Sequence, residues 1–392
     1  MILGTWIARR APERGLAVTN RSGAFQLDAW DVTSGELRQL TDCATRPLWG
    51  GLDPRGRFVT YLEDRVGNET GHIVRIPYAG GEPVDVTPKL EPYTLSGEAI
   101  SADGSRAGFT TATRDGFQLY VADLDDDGDF AAAPRPLFHS RAMTQGPLLS
   151  QGGEVAVMAT TERSASGDFN LVAIDVDSGE RIGELFDEQA SIIPCAFSRV
   201  AGDRRLLASS TRSGVRRPLI WDTRSGERTD LDVGALAGDL ILSDWSLDGS
   251  RILLEQISQA VQRLFTYDLA RDRLRPLDHP GGSIAYAYFV PDGEIFAQLE
   301  DSVQPTRVIA LDPESGVELR TVLHGGEAPA GRRWESIAFT STEGVTIQGW
   351  LGVPEGEGPF PTILETHGGP AAVMRELFSP RPNRGWTTAS PS

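Results

Sequence analysis

The stretches DVTSGELRQL (31–40), DVDSGERIGEL (175–185) and DTRSGERTDL (222–231) are copies of one motif: a strand that ends in Asp, a turn of Ser, Gly and Glu, and a shorter strand. Two more copies read DLARDRLRPL (268–277) and DPESGVELRTV (312–322), and two variants fill the gap between the first copies: PYAGGEPVDV (77–86) and DLDDDGDFAAAPRPL (123–137). In chain order the seven copies start 46, 46, 52, 47, 46 and 44 residues apart. A spacing this regular indicates a structural repeat.

A second series of turns alternates with the first. It includes LDPRGRFVTYL (52–62), SADGSRAGFTT (101–111) and SLDGSRILLEQ (246–256), each a tight turn that leads into an apolar strand. Turn residues of this kind supply the positive φ angles that hairpins need. Each period therefore holds about four short antiparallel strands, which is typical of a propeller blade.

Seven copies predict an all-β fold, a seven-bladed β-propeller over residues 1–333. A β-sandwich also alternates strands and turns, but it would not repeat at a nearly constant period. The outer strands of the first blade come either from residues 4–32 or from ring closure with the last blade, and the sequence leaves both open.

Charge and cysteine content narrow the function classes. The net charge is -18, and the 37 basic residues are scattered, which disfavours a nucleic-acid partner. Cys43 and Cys195 lack metal-ligand or redox spacing. No apolar stretch reaches 18 residues, and the charges near the N-terminus follow the apolar run rather than precede it. We therefore expect a cytoplasmic protein without a membrane partner or a cofactor.

The pattern changes after Arg333. The stretch RRWESIAFTSTEGVTIQGWLGVP (332–354) predicts a hairpin, and a third strand is predicted from Pro361 to Thr366, directly before His367. Three strands followed by His-Gly-Gly are how an α/β-hydrolase sheet begins. Glycine suits that loop, because a side chain would block the approach of a substrate to the backbone N–H groups. The following AAVMRELF (371–378) predicts a helix.

A seven-bladed propeller followed by GVTIQGWLGVPEGEGPFPTILETHGGP (344–370) resembles the prolyl oligopeptidase family (S9) of serine peptidases, especially its acylaminoacyl-peptidase and dipeptidyl-peptidase-like branches. The resemblance implies that the propeller caps a hydrolase domain and admits only short peptides, which intact members cleave by acyl transfer. It further implies that His367, Gly368 and Gly369 belong to the oxyanion-hole loop. The expected domains are the propeller (1–333) and an N-terminal fragment of the α/β-hydrolase domain (334–380).

The sequence departs from the family at the catalytic residues. That family carries its nucleophile in a Gly-x-Ser-x-Gly elbow, followed by Asp and His, and the 392 residues contain no such elbow. GGSIA around Ser283 comes nearest but runs into a strand-like segment. The remaining histidines fall at blade strands or turns: His72, His139, His279 and His324. We therefore assign no catalytic residue and expect no peptidase activity from this chain alone; the alternative is a non-catalytic propeller that binds a ligand or a protein.

The last residues, SPRPNRGWTTASPS (379–392), contain three prolines and no apolar period. They predict a disordered tail over 381–392, and a frameshift or split gene that replaces the rest of the hydrolase domain after about Pro380 would explain it. A separate chain carrying that rest is then the expected partner. Without it, apolar strand positions such as Ile347 and Ile363 stay uncovered, which predicts aggregation.

Two weaker signals lie within the blades. DLDDDGDFAAAP (123–134) matches the opening of a calcium loop, with Asp123, Asp125 and Asp127 as candidate ligands, but its twelfth position is Pro rather than Glu. A solvated acidic hairpin is the other interpretation. Four tryptophans on blade strands are interpreted as packing residues rather than a ligand platform: Trp30, Trp49, Trp221 and Trp245.

Overall fold

The computed structural model describes residues 1–43, 50–64, 66–328, 331–369 and 372–378. Over these ranges the chain forms strands and turns without a helix, and the strands build seven four-stranded antiparallel sheets and one two-stranded sheet. The predicted all-β, seven-bladed propeller is therefore confirmed. In this described part no helix is long and apolar enough to cross a membrane.

The first four blades use sixteen strands in chain order. These are β1 (Ile2–Ala8), β2 (Ala11–Thr19), β3 (Gln26–Asp31), β4 (Leu37–Gln39), β5 (Gly50–Leu52), β6 (Phe58–Glu63), β7 (His72–Pro77), β8 (Val84–Asp85), β9 (Thr94–Ile100), β10 (Arg106–Thr113), β11 (Gly116–Asp123), β12 (Arg135–Ser140), β13 (Thr144–Leu149), β14 (Val155–Thr160), β15 (Asn170–Asp175) and β16 (Arg181–Leu185).

Blades five to seven and the hairpin that follows them use the rest. These strands are β17 (Ile192–Phe197), β18 (Arg205–Ser210), β19 (Arg217–Asp222), β20 (Arg228–Asp230), β21 (Asp239–Trp245), β22 (Arg251–Ser258), β23 (Val261–Asp268), β24 (Arg273–Pro276), β25 (Ser283–Phe289), β26 (Ile295–Glu300), β27 (Arg307–Leu311), β28 (Glu318–Leu323), β29 (Trp334–Thr340) and β30 (Thr346–Gly352).

Each blade is a meander whose first strand lies innermost. Neighbouring blades meet through these first strands: β9 contacts β13, β17 contacts β21, β21 contacts β25, and β1 contacts both β25 and β5. The first strands therefore line the axis of the propeller. All four strands of the first blade come from the N-terminal residues, β1 to β4, so the ring closes without a strand shared between the first and last blades.

The sequence motif forms the turn between the third and fourth strands of a blade. In its first copy the Asp31 carboxylate accepts hydrogen bonds from the backbone N–H groups of Thr33 (3.0 Å) and Ser34 (2.8 Å). The hydrogen bonds from Ser34 hold the pKa of Asp31 below its usual value. Gly35 has φ 77°, a left-handed conformation that favours glycine. Asp175, Asp222 and Asp312 accept the same bond from the serine three residues on, which explains why the motif recurs.

The hydrophobic core lies between the blades. One buried cluster joins blades four and five, and others join blades five and six, six and seven, and seven and one. Trp30, Trp221 and Trp245 are each 0% exposed within these clusters, which confirms that they are packing residues. Trp49 lies outside the described residues. Burying one large apolar side chain contributes about 1.5–3 kcal/mol, so the packed blade faces are a principal source of stability.

The seam between the first and last blades is closed by side chains. Arg9, directly after β1, donates to the backbone oxygen of Phe289 at 3.1 Å and to the carboxylate of Asp244 on β21 at 2.8 Å. Asp244 also accepts the backbone N–H of Phe289 (3.0 Å) and a bond from Arg199 (3.1 Å). Burial raises the pKa of Asp244, but the two guanidinium groups outweigh it and hold that pKa below the usual value. One carboxylate thus ties together blades five, six, seven and one.

The segment after the propeller only partly follows its prediction. β29 and β30 pair as the predicted hairpin, and Gly344 in its turn has φ 82°. The third strand predicted from Pro361 to Thr366 is wrong, because these residues form no strand and are mostly exposed. The predicted helix is also wrong over 372–378, which has no regular structure. A strand needs an edge to pair with and a short helix needs a surface to pack on. Residues 379–392 lie outside the described part.

We expect Asp244→Ala to destabilise the propeller by about 3–5 kcal/mol, because it leaves two guanidinium groups close together without their shared counter-ion. Urea unfolding followed by tryptophan fluorescence measures the change. Asp177→Ala is the matched control: Asp177 also pairs with an arginine, Arg106 at 2.6 Å, but its side chain is 69% exposed. The control should lose about 1 kcal/mol or less. Equal losses of unfolding free energy in both variants would contradict the role of Asp244 in joining the blades.

Candidate functional site

The predicted oxyanion-hole loop lies at the surface. His367, Gly368 and Gly369 are all exposed. Gly369 has φ 75°, and a Cβ added at Gly368 would meet nothing within 4 Å among the described residues. The loop is therefore open to an incoming group on the side of these glycines. Its role in an oxyanion hole stays a prediction.

The segment beyond this loop is attached to the propeller. The Glu376 carboxylate accepts hydrogen bonds from the Ser302 hydroxyl (2.6 Å) and backbone N–H (3.1 Å). Arg375 donates to the backbone oxygen of Ile284 at 3.3 Å. The Trp350 indole of β30 donates to the backbone oxygen of Met374 at 3.1 Å. Residues 372–378 therefore lie against the seventh blade at the beginning of its innermost strand, β25.

The histidines are distributed over different blades. His72 faces Asp85 at 2.7 Å in the second blade, and His139 lies 3.2 Å from the backbone oxygen of Asp115 in the third. His279, between blades six and seven, is held by the backbone oxygen of Pro280, and burial lowers its pKa. These contacts support structural roles. Ser283 is 4% exposed and begins β25, so the residues after it form a strand rather than the helix of a nucleophile elbow.

The acidic turn at 123–129 is surrounded by arginines. Arg106 donates to the Asp123 carboxylate at 3.0 Å, and the Asp125 carboxylate accepts the backbone N–H groups of Asp127 (3.0 Å) and Asp129 (2.8 Å). Over the ranges described, no group of three His, Cys, Asp or Glu side chains is arranged to hold a metal ion. The calcium site at Asp123, Asp125 and Asp127 stays a prediction, and these bonds favour the hairpin interpretation.

A chamber of about 210 Å³ lies on the axis of the propeller, between the innermost strands of blades five, six, seven and one. We call it the axial chamber. Its charged lining residues are Arg9, Arg199 and Asp244, and Trp6, Tyr286 and Tyr288 form aromatic walls. The pairing register shifts by one residue in β17, β21 and β25, at Cys195, Ser243 and Ala285. Such bulges re-aim side chains, and here two of the three extra residues line the chamber.

The axial chamber has no reactive thiol. Cys195 lines it, and burial raises the pKa of this thiol to about 12. The thiol is therefore protonated at neutral pH and is a poor nucleophile. The chamber thus offers charge and aromatic surface rather than covalent chemistry. The sequence pattern did not predict it, because its residues lie on four different blades.

A carboxyl group with a raised pKa, that of Glu98, lies on the innermost strand of blade three. Glu98 faces a small, mostly apolar cavity with Phe58, Ile73 and Phe109, and the Thr60 hydroxyl donates to it at 3.2 Å. Burial raises the pKa of Glu98 to about 7, although the bond from Thr60 partly opposes this. The carboxyl group therefore changes charge near neutral pH.

Comparisons with known proteins find similarity in structure alone. No protein-family model and no curated protein matches the chain. A prolyl endopeptidase, from a structural and mechanistic study of two such enzymes, matches 96% of this chain and 57% of its own with 18% identity and a TM-score of 0.69. The chain has the fold of these proteins. The resemblance inferred from its sequence is thereby confirmed at the level of the fold.

Two further solved structures are similar. Puromycin hydrolase matches 93% of this chain and 62% of its own, with 15% identity and a TM-score of 0.69. Porphyromonas gingivalis dipeptidyl peptidase 4 matches 90% of this chain and 58% of its own, with 13% identity and a TM-score of 0.57. The chain thus spans about three fifths of the length of the proteins it resembles.

We expect Glu98→Gln to stabilise the protein more at pH 8 than at pH 4.5. Because the pKa of Glu98 is higher in the folded state, the unfolded state loses this proton first as the pH rises, and stability falls between about pH 4.5 and 7. Glutamine does not titrate. The difference in unfolding free energy between variant and parent should therefore grow across this pH window and then level off. Urea unfolding at several pH values measures it. Glu180→Gln, at an exposed turn, is the control and should show a flat difference.

Proposed function

We propose that this chain is the propeller of a prolyl oligopeptidase-type serine peptidase joined to the first strands of the catalytic domain. In this proposal the propeller screens short peptides, and the chain does not hydrolyse them by itself. One observation carries it: the match to a prolyl endopeptidase covers 96% of the chain. The last blade strand ends at Leu323. A match this long must therefore extend into residues 334–378, which we call the hairpin region.

The position of the hairpin region supports this proposal. Its first residue, Trp334, donates its backbone N–H to the Ser302 hydroxyl at 2.8 Å, and the same hydroxyl donates to Glu376. Both ends of the region that carries His367 are thus attached to the seventh blade. A catalytic domain that continued from here would lie against the propeller, as a cap-and-enzyme arrangement requires.

Chemistry supports the lack of independent activity. Backbone N–H groups stabilise an oxyanion only after a nucleophile has created one, and the residues carry no Gly-x-Ser-x-Gly elbow. One oxyanion-hole donor in this kind of enzyme comes from the residue after that serine. Peptide hydrolysis would therefore need groups that these 392 residues do not provide. We propose that the rest of a hydrolase domain supplies them, and a separate chain that carries it stays the predicted partner.

The apolar surface of the hairpin region fits such a partner. Ile347 and Leu351 on β30 are 42% and 39% exposed, and Ile363 and Leu364 are 92% and 86% exposed. Exposed apolar side chains mark surfaces that another element covers. We infer that the remaining strands and helices of a hydrolase sheet would pack here.

A second candidate function is a non-catalytic binding propeller. The axial chamber favours it, because an open cavity with charged and aromatic walls can hold a ligand without any catalytic domain. Both functions use the propeller to bind a small molecule or a peptide. They differ in whether a hydrolase partner exists.

A fluorophosphonate probe tests the absence of an activated serine. We expect the purified 392-residue protein to remain unlabelled and to release no product from short peptide p-nitroanilides, because the nucleophile and its base are missing. A prolyl endopeptidase treated in parallel is the positive control. Labelling of a serine in this chain, seen by peptide mass spectrometry, would sink the proposal of a non-hydrolysing chain.

Binding of the dye anilinonaphthalene sulfonate tests the uncovered apolar surface. We expect the protein to enhance the dye's fluorescence and the double variant Ile363→Ser/Leu364→Ser to reduce this enhancement by about half or more, since these two side chains are the most exposed in the region. Val84→Ser, at a 51% exposed position on β8, is the control and should change little. No difference between the double variant and the control would count against a hydrolase partner at this surface.

A further inference from the structure

The axial chamber presents positive charge in a protein whose net charge is -18. Its charged lining residues are two arginines and one aspartate, so the cluster carries a formal charge of +1. The Asp244 side chain is only 3% exposed, whereas those of Arg9 and Arg199 are 21% and 23% exposed. The carboxylate thus lies behind the guanidinium groups, and a molecule that enters meets the cations first.

The hydrogen bonds leave the cationic side incompletely satisfied. Arg199 gives one bond to Asp244, at 3.1 Å, and its Nε atom has no acceptor among the described residues. Burial lowers the pKa of Arg199, and the neighbouring charge of Arg9 lowers it further. Two like charges held this close repel each other, and a second anion beside them would relieve the repulsion.

The remaining walls of the chamber are aromatic. Trp6 and Tyr286 lie with ring centroids 6.0 Å apart, and Tyr288 completes this side. Aromatic faces pack against apolar parts of a ligand, while arginines bind planar carboxylates with paired hydrogen bonds. The volume of about 210 Å³ admits a molecule of a few residues at most.

We propose that the axial chamber is a binding site for a small organic carboxylate, such as a carboxylic acid or the free C-terminus of a short peptide. Arg199 and Arg9 bind the carboxylate, Asp244 holds both arginines in place, and the aromatic walls contact the rest of the ligand. The site goes beyond the proposed peptidase relation, because it needs no residue of the hairpin region.

Calorimetric titration of the full chain tests the site. The probes are N-acetyl-Ala-Ala with a free carboxylate, the same dipeptide as its C-terminal amide, acetate and inorganic phosphate. We expect the free acid to bind saturably, the amide to bind at least tenfold more weakly, and 0.5 M NaCl to weaken the binding of the acid. Acetate binding as tight as that of the dipeptide would assign the site to free carboxylic acids rather than to peptide ends.

Variants connect the binding to the arginine. Arg199→Gln should weaken the binding of the free acid at least tenfold, which corresponds to about 1.4 kcal/mol. Arg199→Lys should restore part of the lost affinity. Arg163→Gln is the matched control, because Arg163 is exposed and pairs with Glu184 in blade four, outside the chamber; it should bind like the parent. If Arg199→Gln does not fold, the comparison of acid with amide on the parent protein decides.

Three results would overturn the proposal. Equal affinity for acid and amide would show that the carboxylate is not recognised. Unchanged affinity in folded Arg199→Gln would show that binding occurs elsewhere. Phosphate binding without binding of either carboxylate would show an anion site of a different kind.

Discussion

The propeller depends on one buried carboxylate at the point where its ring closes. Asp244 accepts bonds from Arg9 of the first blade, from Arg199 of the fifth and from the backbone of Phe289 in the seventh. The first and last blades share no strand. Side chains must therefore hold the seam between them. An apolar cluster including Trp30 and Phe296 packs across the same seam and excludes water from it. The two together replace the hydrogen-bonded strand pairing that a shared strand would give.

Local and long-range interactions have different parts in this fold. Each turn of the repeated motif depends on a few residues, as with the Asp31 carboxylate bound to the N–H of Ser34 and the left-handed Gly35. Such a turn forms wherever its residues occur, and it sets the direction of the next strand. Ring closure instead joins residues 235 positions apart, so it adds stability only once all seven blades are in place. The turns of the blades are therefore set by residues close together in the sequence, whereas the seam is set by residues far apart.

The same distinction explains what the sequence predicted. The blade number followed from turns that repeat, and the hairpin from the stretch 332–354, whose two strands pair as predicted. The axial chamber was not predictable, because Arg9, Arg199 and Asp244 show no common spacing and meet only after the ring closes. The third strand from Pro361 to Thr366 was wrong for a related reason: apolar residues favour a strand, but pairing needs an edge that this segment does not reach.

The innermost strand of the seventh blade connects the two regions of functional interest. Near its beginning the backbone oxygen of Ile284 binds Arg375, and near its end Tyr288 lines the axial chamber. With a rise of about 3.3 Å per residue, these two positions lie about 13 Å apart along β25. The strand therefore holds the axial chamber and the attachment point of residues 372–378 at a fixed separation, whether or not a catalytic domain lies beyond Arg375.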